Sequence, residues 1–370
     1  MSLPDQTVLH VVERCRGGVA TYVAEAMRAQ RASGRWASVD LLADRHYLEP
    51  ELAAAADRLL DYRSARRIAG MARAAWQVTR RIRKARPSVV HLHSSFPGVY
   101  GRVAADSRAI GPAILYCAHG WAFEMQTAKL KRGIYRTIER ELAHKADVIV
   151  SISAHEFAAA EAAGIRHGGH IAIPHGARPA TPGPRPEAMD PTCLNLLFVG
   201  RLDRQKGLDL LLRAFRQAKR QDIRLHVIGA EGLGDGAHVQ IADPRLKLYG
   251  WIAHDSLDAW YAAADAIVMP SRWEGFGLVA IEAMRNGTPV LASDRGALPE
   301  VLDGGAAGIL FDPENTAGLA NLIETLDRDT LRSLGAAAYA RYQSAYTADR
   351  AATALAAAYD LAIERRQGRG

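Results

Sequence analysis

Short apolar runs alternate with helical patterns through the first half of the chain. The runs are rich in β-branched residues, and a helical stretch from about Thr21 to Gln30 follows the first of them after a Gly-Gly turn. Strands that alternate with helices are typical of a parallel sheet covered on both faces. The strands predicted here are Val8–Val12, Val89–Leu92, Ala113–Cys117, Val148–Ile152 and Ile171–Ile173.

A proline-rich segment interrupts this alternation, which then begins again. Six of the sixteen prolines lie between Pro174 and Pro191, a segment without periodicity that is interpreted as a linker. The second half therefore predicts another α/β domain with a parallel sheet. Its predicted strands are Leu194–Val199, Leu225–Ile228, Leu246–Tyr249, Ala266–Met269 and Val290–Ala292, and its predicted helices are Leu208–Lys219, Ser256–Ala263 and Leu278–Asn286.

These elements predict two domains joined by a hinge. The first covers residues 1–176 and is closed by an Ala-rich helix at about 348–366, on which Leu355, Tyr359 and Ile363 share a face. The linker covers 177–193 and the second domain covers 194–347. Ligands of open parallel sheets bind beyond the carboxyl ends of the strands, so the cleft between two such domains is the expected site.

Composition agrees with two soluble domains. The chain has 370 residues, of which 49% are hydrophobic and 24% charged, enough to bury two cores. Cys15, Cys117 and Cys193 are far apart, which argues against a disulfide framework or a zinc knuckle and suits a reducing compartment. The N-terminus lacks the pattern of a signal peptide, and no apolar stretch approaches the length of a bilayer span. The expected location is cytoplasmic, with any membrane contact at the inner face of the cell membrane.

The formal net charge of +7 is unevenly distributed. Residues 1–190 carry 27 basic and 18 acidic side chains, whereas the rest of the chain carries 20 and 22. The densest basic stretch runs from Arg63 to Arg86. Such a helix either lies on an anionic membrane or is a surface helix whose apolar stripe faces its own core, and both interpretations stay open. The stripe consists of Ile68, Met71, Ala75, Val78 and Ile82.

The strongest candidate site follows the fourth strand of the second half. The segment Pro270–Leu278 contains glycines that let a backbone approach a ligand, and a helix begins near its end. The amide groups of Gly277 and Leu278 lie at the positive end of that helix, which suits a diphosphate. Glu274 and Glu282 can each accept hydrogen bonds from adjacent hydroxyls, of a transferred sugar and of a ribose respectively. A capped helix with surface acids is the alternative.

A second candidate site follows the strand Leu194–Val199. Arg201 and Lys206 lie in the loop between that strand and the next helix, framed by Gly200 and Gly207. Two fixed cations at this place can neutralise the charge that develops on a leaving nucleotide diphosphate. The alternative is a solvated basic loop.

Weaker signals lie in the first half. In Arg16-Gly17-Gly18-Val19, Gly17 and Gly18 either offer amide groups to a phosphate or simply make a tight turn. His119, at the end of a strand, can donate a hydrogen bond to a sugar or stabilise an oxocarbenium ion, although a lone histidine is more often structural. His91 and His93 share one strand face, but no third metal ligand is evident.

Together these stretches resemble glycosyltransferase family 4, whose members have the GT-B fold of two Rossmann-like parallel-sheet domains facing each other across a cleft. The resemblance spans nearly the whole chain in the family's order, and its C-terminal motifs are the more specific. It departs at Pro174-His175-Gly176-Ala177-Arg178, where members commonly have Pro-Asn-Gly-Val-Asp, a turn interpreted as structural. The matching pieces are Gly17-Gly18, His119-Gly120, Gly200-Arg201, Lys206-Gly207, Glu274-Gly275-Phe276-Gly277-Leu278 with Glu282, and Gly287-Thr288-Pro289-Val290 before Pro299-Glu300.

The resemblance implies a retaining, hexosyltransferase-type enzyme that moves a sugar from a UDP or GDP donor without an essential metal ion or other cofactor. Arg201 and Lys206 would hold the diphosphate, Glu282 the ribose and Glu274 the donor sugar. The two carboxylates would then bind the donor rather than act as a glycosidase acid/base pair, and the donor phosphate would take the acceptor proton. Further donor contacts are implied for His119 and Gly18 of the first domain and for Trp251, Ile252, Gly275, Phe276, Gly277 and Leu278 of the second.

The motifs do not identify the acceptor. The run Cys117–Phe123 is similar to bacterial surface-polysaccharide enzymes, and the basic first half suits a lipid-linked saccharide in exopolysaccharide or lipopolysaccharide assembly. A small natural-product acceptor, a non-catalytic binding protein and a sugar-nucleotide epimerase stay open as alternatives. Nucleic acid is not an expected partner. An oxidoreductase is disfavoured because no dinucleotide fingerprint follows the first strand and Glu231–Gly236 lacks its spacing.

Overall fold

The computed structural model describes residues 6–13, 15, 17–64, 68–104, 111–181, 183–230 and 243–368. The chain divides into unit 1, which comprises Met1–Gly176 and Ala348–Gly370, and unit 2, which comprises Ala177–Thr347. Arg16, Arg66 and Arg67 and the segment Glu231–Gly236, which were singled out in the sequence, lie outside the described residues.

The described part of unit 1 forms a seven-stranded parallel sheet in the order β3-β2-β1-β4-β5-β6-β7. Val8 of β1 pairs with Val39 of β2 on one side and with Val89 of β4 on the other. The strands are β1 (Thr7–Val11), β2 (Ser38–Ala43), β3 (Arg58–Asp61), β4 (Val89–His93), β5 (Ala113–Cys117), β6 (Val148–Ser151) and β7 (His170–Ala172). The helices are α1 (Gly18–Ala32), α2 (Pro50–Ala54), α3 (Ile68–Ala85), α4 (Ser95–Ala104), α5 (Lys129–Ala143), α6 (Ala154–Ala162) and, at the end of the chain, α13 (Ala348–Gln367).

Helix α13 is anchored to unit 1 by polar groups as well as by its apolar face. Arg366 forms an ion pair with Asp147 at 2.7 Å, and both side chains are buried. The side-chain amide of Gln30 in α1 donates to the hydroxyl of Tyr359 at 2.7 Å. The last helix of the chain therefore completes the first unit.

The apolar stripe of α3 faces the core of unit 1. Val78 and Ile82 are buried there, and Met71 and Ala75 pack against the same cluster. The exposed face of the helix carries its arginines and Trp76, whose side chain is 60% exposed. Of the two interpretations of this basic helix, the structure favours the surface helix with an inward stripe.

The described part of unit 2 forms a six-stranded parallel sheet in the order β10-β9-β8-β11-β12-β13. Leucines and Phe215 recur along α7 at helical spacing and pack on this sheet, which is why the segment is helical. The strands are β8 (Leu194–Val199), β9 (Ile223–Ile228), β10 (Leu246–Leu248), β11 (Ala266–Met269), β12 (Val290–Ser293) and β13 (Gly308–Phe311). The helices are α7 (Leu208–Gln217), α8 (Leu257–Ala263), α9 (Leu278–Arg285), α10 (Leu298–Val301), α11 (Thr316–Thr325) and α12 (Arg328–Ala345).

The prediction of two α/β domains with parallel sheets is confirmed. The segment 177–193, predicted as a linker, groups with unit 2: Ala177 forms an isolated bridge with Thr347, and the amide of Thr181 donates to Asp258 at 2.8 Å. Within the residues that the structure describes, no helix has both the length and the apolar character that crossing a membrane requires.

Both sheets reverse their strand order at one point, between β1 and β4 in unit 1 and between β8 and β11 in unit 2. Loops that follow such a pair of neighbouring strands leave in opposite directions and open a crevice at the carboxyl edge of the sheet. The Gly17-Gly18 turn follows β1 and the motifs of unit 2 follow β8 and β11, so the fold places them at the two crevices. His119 follows β5, the strand beside β4.

Candidate functional site

The loops after β8 and β11 meet at the crevice of unit 2. Lys206 and Glu274, one from each loop, form an ion pair with 2.5 Å between Nζ and Oε2. Gln205 donates its side-chain amide to the carbonyl of Trp273 at 3.2 Å, and the amide of Arg272 donates to the carbonyl of Gln205 at 2.8 Å. The structure thus brings together the two loops that carry the strongest sequence motifs.

A second ion pair fixes the same two loops. Arg272 places two guanidinium nitrogens on the carboxylate of Asp209, each at 2.8 Å, and a third contact joins it to the carbonyl of Arg204. The hydrogen bond from Arg272 lowers the pKa of Asp209, which keeps the carboxylate charged. Sequence reasoning did not identify this pair, which lies 63 residues apart in the chain.

Helix α9 begins at this crevice. Gly277 precedes it with a φ of 100°, a left-handed conformation that glycine adopts without strain. A Cβ at Gly277 would lie 3.6 Å from Cγ of Glu274, so the helix start adjoins the ion pair. The amide groups of a first helical turn lack intrahelical acceptors and carry partial positive charge. The crevice therefore combines Lys206 with a helix N-terminus, an arrangement that can bind a phosphate.

Arg201 lies on the same loop but is more open to solvent. Its side chain is 60% exposed, with Nε at 3.0 Å from Asp203 and a terminal nitrogen at 2.7 Å from Gln205. Because Gln205 also contacts the loop after β11, Arg201 joins the same hydrogen-bond network. The two predicted cations thus differ: Lys206 is largely enclosed, whereas Arg201 is held at the surface of the crevice.

The carboxylate of Glu282 already has hydrogen-bond partners within the protein, which the sequence did not indicate. The residue is buried in α9, and its carboxylate contacts His254 at 3.0 Å and the hydroxyl of Tyr261 at 2.8 Å. One partner therefore occupies each carboxylate oxygen, and a ribose hydroxyl would have to use a remaining lone pair. His254 and Tyr261 are neighbours that sequence reasoning missed, because they come from the segment before β11.

The other predicted donor contacts are distributed around the same edge. Trp251 is 68% exposed just after β10, followed by the half-buried Ile252. The carbonyl of Gly250 accepts a hydrogen bond from the amide of Gly229, which follows β9, so this segment joins the crevice edge. Phe276 is buried with its ring edge-on to Tyr346 at 5.7 Å, so only its backbone, like that of Gly275, is suited to a ligand.

His119 lies in a constrained turn at the end of β5 in unit 1. Its φ is 54°, an uncommon conformation for a residue with a side chain. Glu156 holds this turn: its carboxylate accepts from the amides of Gly120 and Ile152, both at 2.6 Å. Burial raises the pKa of Glu156 to about 7. Strain at a histidine supported by a buried carboxyl group points to a functional position.

Gly18 is the first residue of α1, and the adjacent helix N-terminus already holds an anion. The amide of Gly17 donates to Glu49 at 2.9 Å. A carboxylate at this place shows that the turn suits negative charge. A phosphate would have to compete with Glu49 for that amide.

Histidines that the sequence singled out separately form one buried chain. His93 of β4 places Nδ1 at 2.9 Å from Nε2 of His119 and Nε2 at 2.9 Å from Nδ1 of His10. Nε2 of His10 in turn lies 2.8 Å from Oε1 of Gln30. His10 and Gln30 were not predicted, since His10 lies within the first apolar run and Gln30 within a helical pattern.

His10 is also the third histidine that the pair His91 and His93 lacked in the sequence. Their nitrogen atoms lie within 4.8 Å of one another. A metal ion held by all three would have to replace the hydrogen bond between His10 and His93. Nδ1 of His91 lies 2.7 Å from the hydroxyl of Tyr359, so each of the three rings already has a hydrogen-bond partner.

His175, in the turn that departs from the family pattern, contacts the surroundings of His119. It is buried, and its ring stacks on Tyr22 at 4.2 Å between ring centroids. Tyr22 lies edge-on to His119 at 4.8 Å. The turn was interpreted as structural, but its side chain packs into the group that surrounds His119.

Gly207 marks a point where the two loops of unit 2 nearly touch. Its φ is 70°, and a Cβ there would lie 2.0 Å from the carbonyl oxygen of Pro270. Gly207→Ala is therefore expected to push the loop after β8 away from the loop after β11 and to lower both thermal stability and the binding of inorganic pyrophosphate at this crevice. Differential scanning calorimetry and titration calorimetry measure the two effects.

Gly287→Ala is the matched control for Gly207→Ala. Gly287 has the same φ of 70° in the same unit, and a Cβ at this glycine would meet nothing within 4 Å among the described residues. Both variants incur the cost of a left-handed side-chain residue, about 1–2 kcal/mol, but only Gly207→Ala separates the loops. Equal losses in both variants would contradict the close approach at Gly207.

Two family models match the chain, one to each half. The "Glycosyl transferase 4-like domain" matches residues 17–176, and "Glycosyl transferases group 1" matches residues 193–329. A protein of Klebsiella pneumoniae described as an "uncharacterized 41.2 kDa protein in cps region" is 31% identical over 343 residues, which cover 88% of this chain and 90% of that protein.

Solved structures with a similar fold cover nearly the whole chain. A sucrose-phosphate synthase of Thermosynechococcus elongatus has a TM-score of 0.82 at 24% identity, over 96% of this chain and 98% of its own. HepE of Anabaena in complex with UDP and glucose has a TM-score of 0.80 at 19% identity, over 95% and 98%. Both comparisons show the fold.

Proposed function

The chain belongs to glycosyltransferase family 4 and has the GT-B fold, and from this premise we propose that it is a retaining transferase that uses a nucleotide-diphosphate sugar. The donor is a UDP- or GDP-sugar, and the acceptor is a lipid-linked saccharide in exopolysaccharide or lipopolysaccharide assembly. Unit 2 holds the donor, and no metal ion is essential for transfer.

The observation that carries this proposal is the junction of the two loops at the crevice of unit 2. Glu274 holds the ammonium group of Lys206 in place, and the start of α9 adds partial positive charge at the same carboxyl edge of the sheet. Charge that is held in place before the reaction needs no reorganisation when a diphosphate leaves, which is the main source of electrostatic catalysis. HepE of Anabaena, which has the same fold, binds UDP and glucose.

Each predicted residue has a proposed role at this site. Lys206 and Arg201 hold the diphosphate together with the amides at the start of α9. Glu274, which orients Lys206, also accepts from a hydroxyl of the transferred sugar, and Glu282 accepts from the ribose. For His119 and Gly18 of unit 1 the proposed role is contact with the donor, as the family resemblance implies.

The environments of the two glutamates support binding roles over hydrolysis. A glycosidase needs one carboxyl group that donates a proton and one free carboxylate. Glu274 is paired with Lys206, and Glu282 is engaged by His254 and Tyr261. Neither carboxylate is placed as a free acid or base, so proton transfer to the donor phosphate is the proposed route.

The donor assignment is tested by binding. Free UDP or GDP raises the unfolding temperature of the protein if it binds the folded state, by an amount that grows with concentration over Kd. UDP, GDP and ADP are compared with the corresponding monophosphates, with and without EDTA. We expect one diphosphate to stabilise the chain in EDTA, and equal shifts for monophosphate and diphosphate would exclude the proposed diphosphate site.

The stereochemical assignment is tested by product analysis. With the identified donor and an acceptor, proton NMR of the first product formed reports its anomeric configuration. Retention gives the configuration of the donor. An inverted product would contradict the proposed mechanism while leaving the donor site intact.

Membrane contact belongs to this proposal, at α5 rather than α3. Leu130, Ile134 and Ile138 recur every four residues along α5 and are 80%, 51% and 38% exposed. Exposed apolar residues in one stripe are characteristic of a helix that lies on a bilayer surface. Exposed cations flank the stripe, namely Lys129, Lys131, Arg132, Arg136 and Arg140.

The opposite face of α5 packs on unit 1, so the stripe is directed outward. Glu139 and Ala143 are buried there, and Glu139 forms an ion pair with Arg102 at 2.7 Å. Apolar residues between cations suit an anionic lipid surface better than a neutral one. This surface would bring the enzyme to a lipid-linked acceptor.

Replacing Leu130 and Ile134 with serine is expected to lower partitioning onto anionic vesicles by about tenfold or more, because two side chains lose apolar burial. Co-sedimentation with phosphatidylglycerol-containing vesicles measures this, and phosphatidylcholine vesicles test the need for anionic lipid. The matched control is Trp76→Ser on α3, another exposed apolar side chain in the same unit. If only the Trp76 variant loses binding, α3 rather than α5 is the membrane surface.

A further inference from the structure

We propose that Gln30, acting through His10 and His93, fixes the ring proton of His119 on Nε2 and leaves its Nδ1 as a hydrogen-bond acceptor. Gln30, His10 and His93 are then positioning residues for His119. Only the contact of His119 with the donor rests on the proposed function. The position of the His119 proton is a property of the free protein.

The direction of the hydrogen bonds follows from the chemistry of the groups. An amide oxygen only accepts, so Oε1 of Gln30 requires the proton of His10 on Nε2. A neutral imidazole has one donor and one acceptor nitrogen, so His10 then accepts at Nδ1 from Nε2 of His93. His93 in turn accepts at Nδ1 from Nε2 of His119.

This reasoning requires neutral rings, and burial provides them. Burial lowers the pKa of His10 to about 4 and that of His119 to about 3. Burial, together with the neighbouring histidines, also lowers the pKa of His93 well below its usual value. At neutral pH each ring carries a single proton. The orientation of the Gln30 amide therefore determines which nitrogen of each histidine in the hydrogen-bonded chain carries that proton.

A second arm of the network starts from the same amide. Nε2 of Gln30 donates to the hydroxyl of Tyr359 at 2.7 Å, and that hydroxyl lies 2.7 Å from Nδ1 of His91. The hydroxyl has one proton of its own, and while it accepts from Gln30 that proton is available to Nδ1 of His91, which places the proton of His91 on Nε2. Rotating the amide by half a turn would reverse both arms, so His91 and His119 report the same orientation independently.

The free end of this chain is Nδ1 of His119. That atom is buried, and in the part of the chain that the structure describes it has no hydrogen-bond partner. A lone pair held in this way recognises a ligand that donates, such as a sugar hydroxyl, rather than an anionic oxygen. This differs from the sequence-based expectation that His119 donates a hydrogen bond to the sugar.

The test is the tautomeric state of the histidines in the full-length free protein. Long-range proton–nitrogen correlation spectra of protein labelled with ¹⁵N-histidine distinguish a protonated ring nitrogen from one with a lone pair. Single histidine variants assign the signals. We expect His119 and His91 both to carry the proton on Nε2, and a proton on Nδ1 of His119 would overturn the proposal without any reference to activity.

Two variants separate positioning from packing. Gln30→Leu removes the acceptor of His10, so His119 is expected to show both tautomers. Tyr359→Phe removes only the hydroxyl of the second arm, so His119 should keep its proton on Nε2. Unchanged tautomers in Gln30→Leu would overturn the role of Gln30, and added Zn²⁺ that shifts His10, His91 and His93 together in the wild type would show a metal site instead.

Discussion

Replacing Lys206 with methionine is expected to lower kcat for sugar transfer by about 10²–10³-fold, the usual effect of removing one preorganised group that stabilises developing charge. Methionine keeps the length of the side chain and removes the ammonium group. In the structure this ammonium is largely enclosed and fixed on Glu274, so its charge is in place before the donor arrives. Steady-state kinetics with the identified donor measures the effect.

Loss of stability must be separated from loss of charge in this variant. Lys206→Met leaves Glu274 without its cation, and an unpaired, partly buried carboxylate destabilises the fold. The double variant Lys206→Met, Glu274→Gln removes both charges. It should recover the unfolding temperature of the wild type and stay inactive, because neither a diphosphate cation nor the sugar-binding carboxylate is present.

Lys219→Met is the matched control for Lys206→Met. It makes the same chemical change at an exposed lysine beyond the C-terminal end of α7, at the opposite end of that helix from Gly207. Its kcat should equal that of the wild type. If Lys206→Met also retained wild-type turnover, Lys206 would have no part in donor chemistry.

Most strands could be predicted because each is a short run dominated by apolar residues, even where it includes a polar one such as Asn195 of β8 or His226 of β9. The three strands that were missed break this rule in identifiable ways. β2 contains Asp40, which is buried because Arg58 pairs with it at 2.6 Å. β3 is an edge strand of four residues that begins with that arginine, and β13 is a four-residue strand that begins with Gly308. Charge neutralised across strands cannot be recognised from one strand alone.

The loops of the candidate site could be predicted, but their partners could not. Arg201, Lys206 and Glu274 follow strands directly, so the rule for parallel sheets places them at one edge. Lys206 and Glu274 are 68 residues apart, and their pairing depends on β8 lying beside β11. The histidine chain joins four elements in the same way, and nothing in any one of them signals it.

The sequence also could not show which face of each basic helix, α3 or α5, packs on the sheet. Periodicity shows that a helix has an apolar stripe but not which side the sheet covers. On α3 the stripe is inward. On α5 the inward face contains Glu139, a charge that is buried because Arg102 and Tyr116 bind it, so the outward stripe is the more apolar of the two. Because its buried face contains a charged residue, the core-facing side of α5 could not be recognised from the hydrophobic pattern.

Lowering the pH from 7 to 5 is expected to destabilise the protein strongly, because buried histidines must be neutral in the folded state. Burial lowers the pKa of His10 to about 4 and that of His119 to about 3, against 6.5 for an unperturbed histidine. Between these values the unfolded chain binds more protons than the folded chain, so stability is present above pH 6.5 and is lost as the pH falls. For His10 alone the loss at pH 5 is about 2 kcal/mol.

One buried acid opposes this trend without reversing it. Burial raises the pKa of Glu156 to about 7, so the folded state holds that proton more tightly and Glu156 gains stability as the pH falls from 7 toward 4.5. Six buried or half-buried histidines of unit 1 have the opposite sign, since the pKa of each is lowered mainly by burial: His10, His91, His93, His119, His170 and His175. The histidines therefore outweigh Glu156, and a net loss of stability is expected as the pH falls toward 5.

Urea unfolding between pH 7 and 5 measures this dependence as a slope, in which each extra proton bound by the unfolded state contributes about 1.4 kcal/mol per pH unit. His10→Asn removes one titrating ring and should reduce the slope by up to one proton, whatever its effect on absolute stability. His144→Asn, at an exposed position after α5, should leave the slope unchanged. Because the slope reports proton uptake rather than contacts, a wild-type stability that is constant or rising toward pH 5 would show that the histidine cluster is charged in the folded protein.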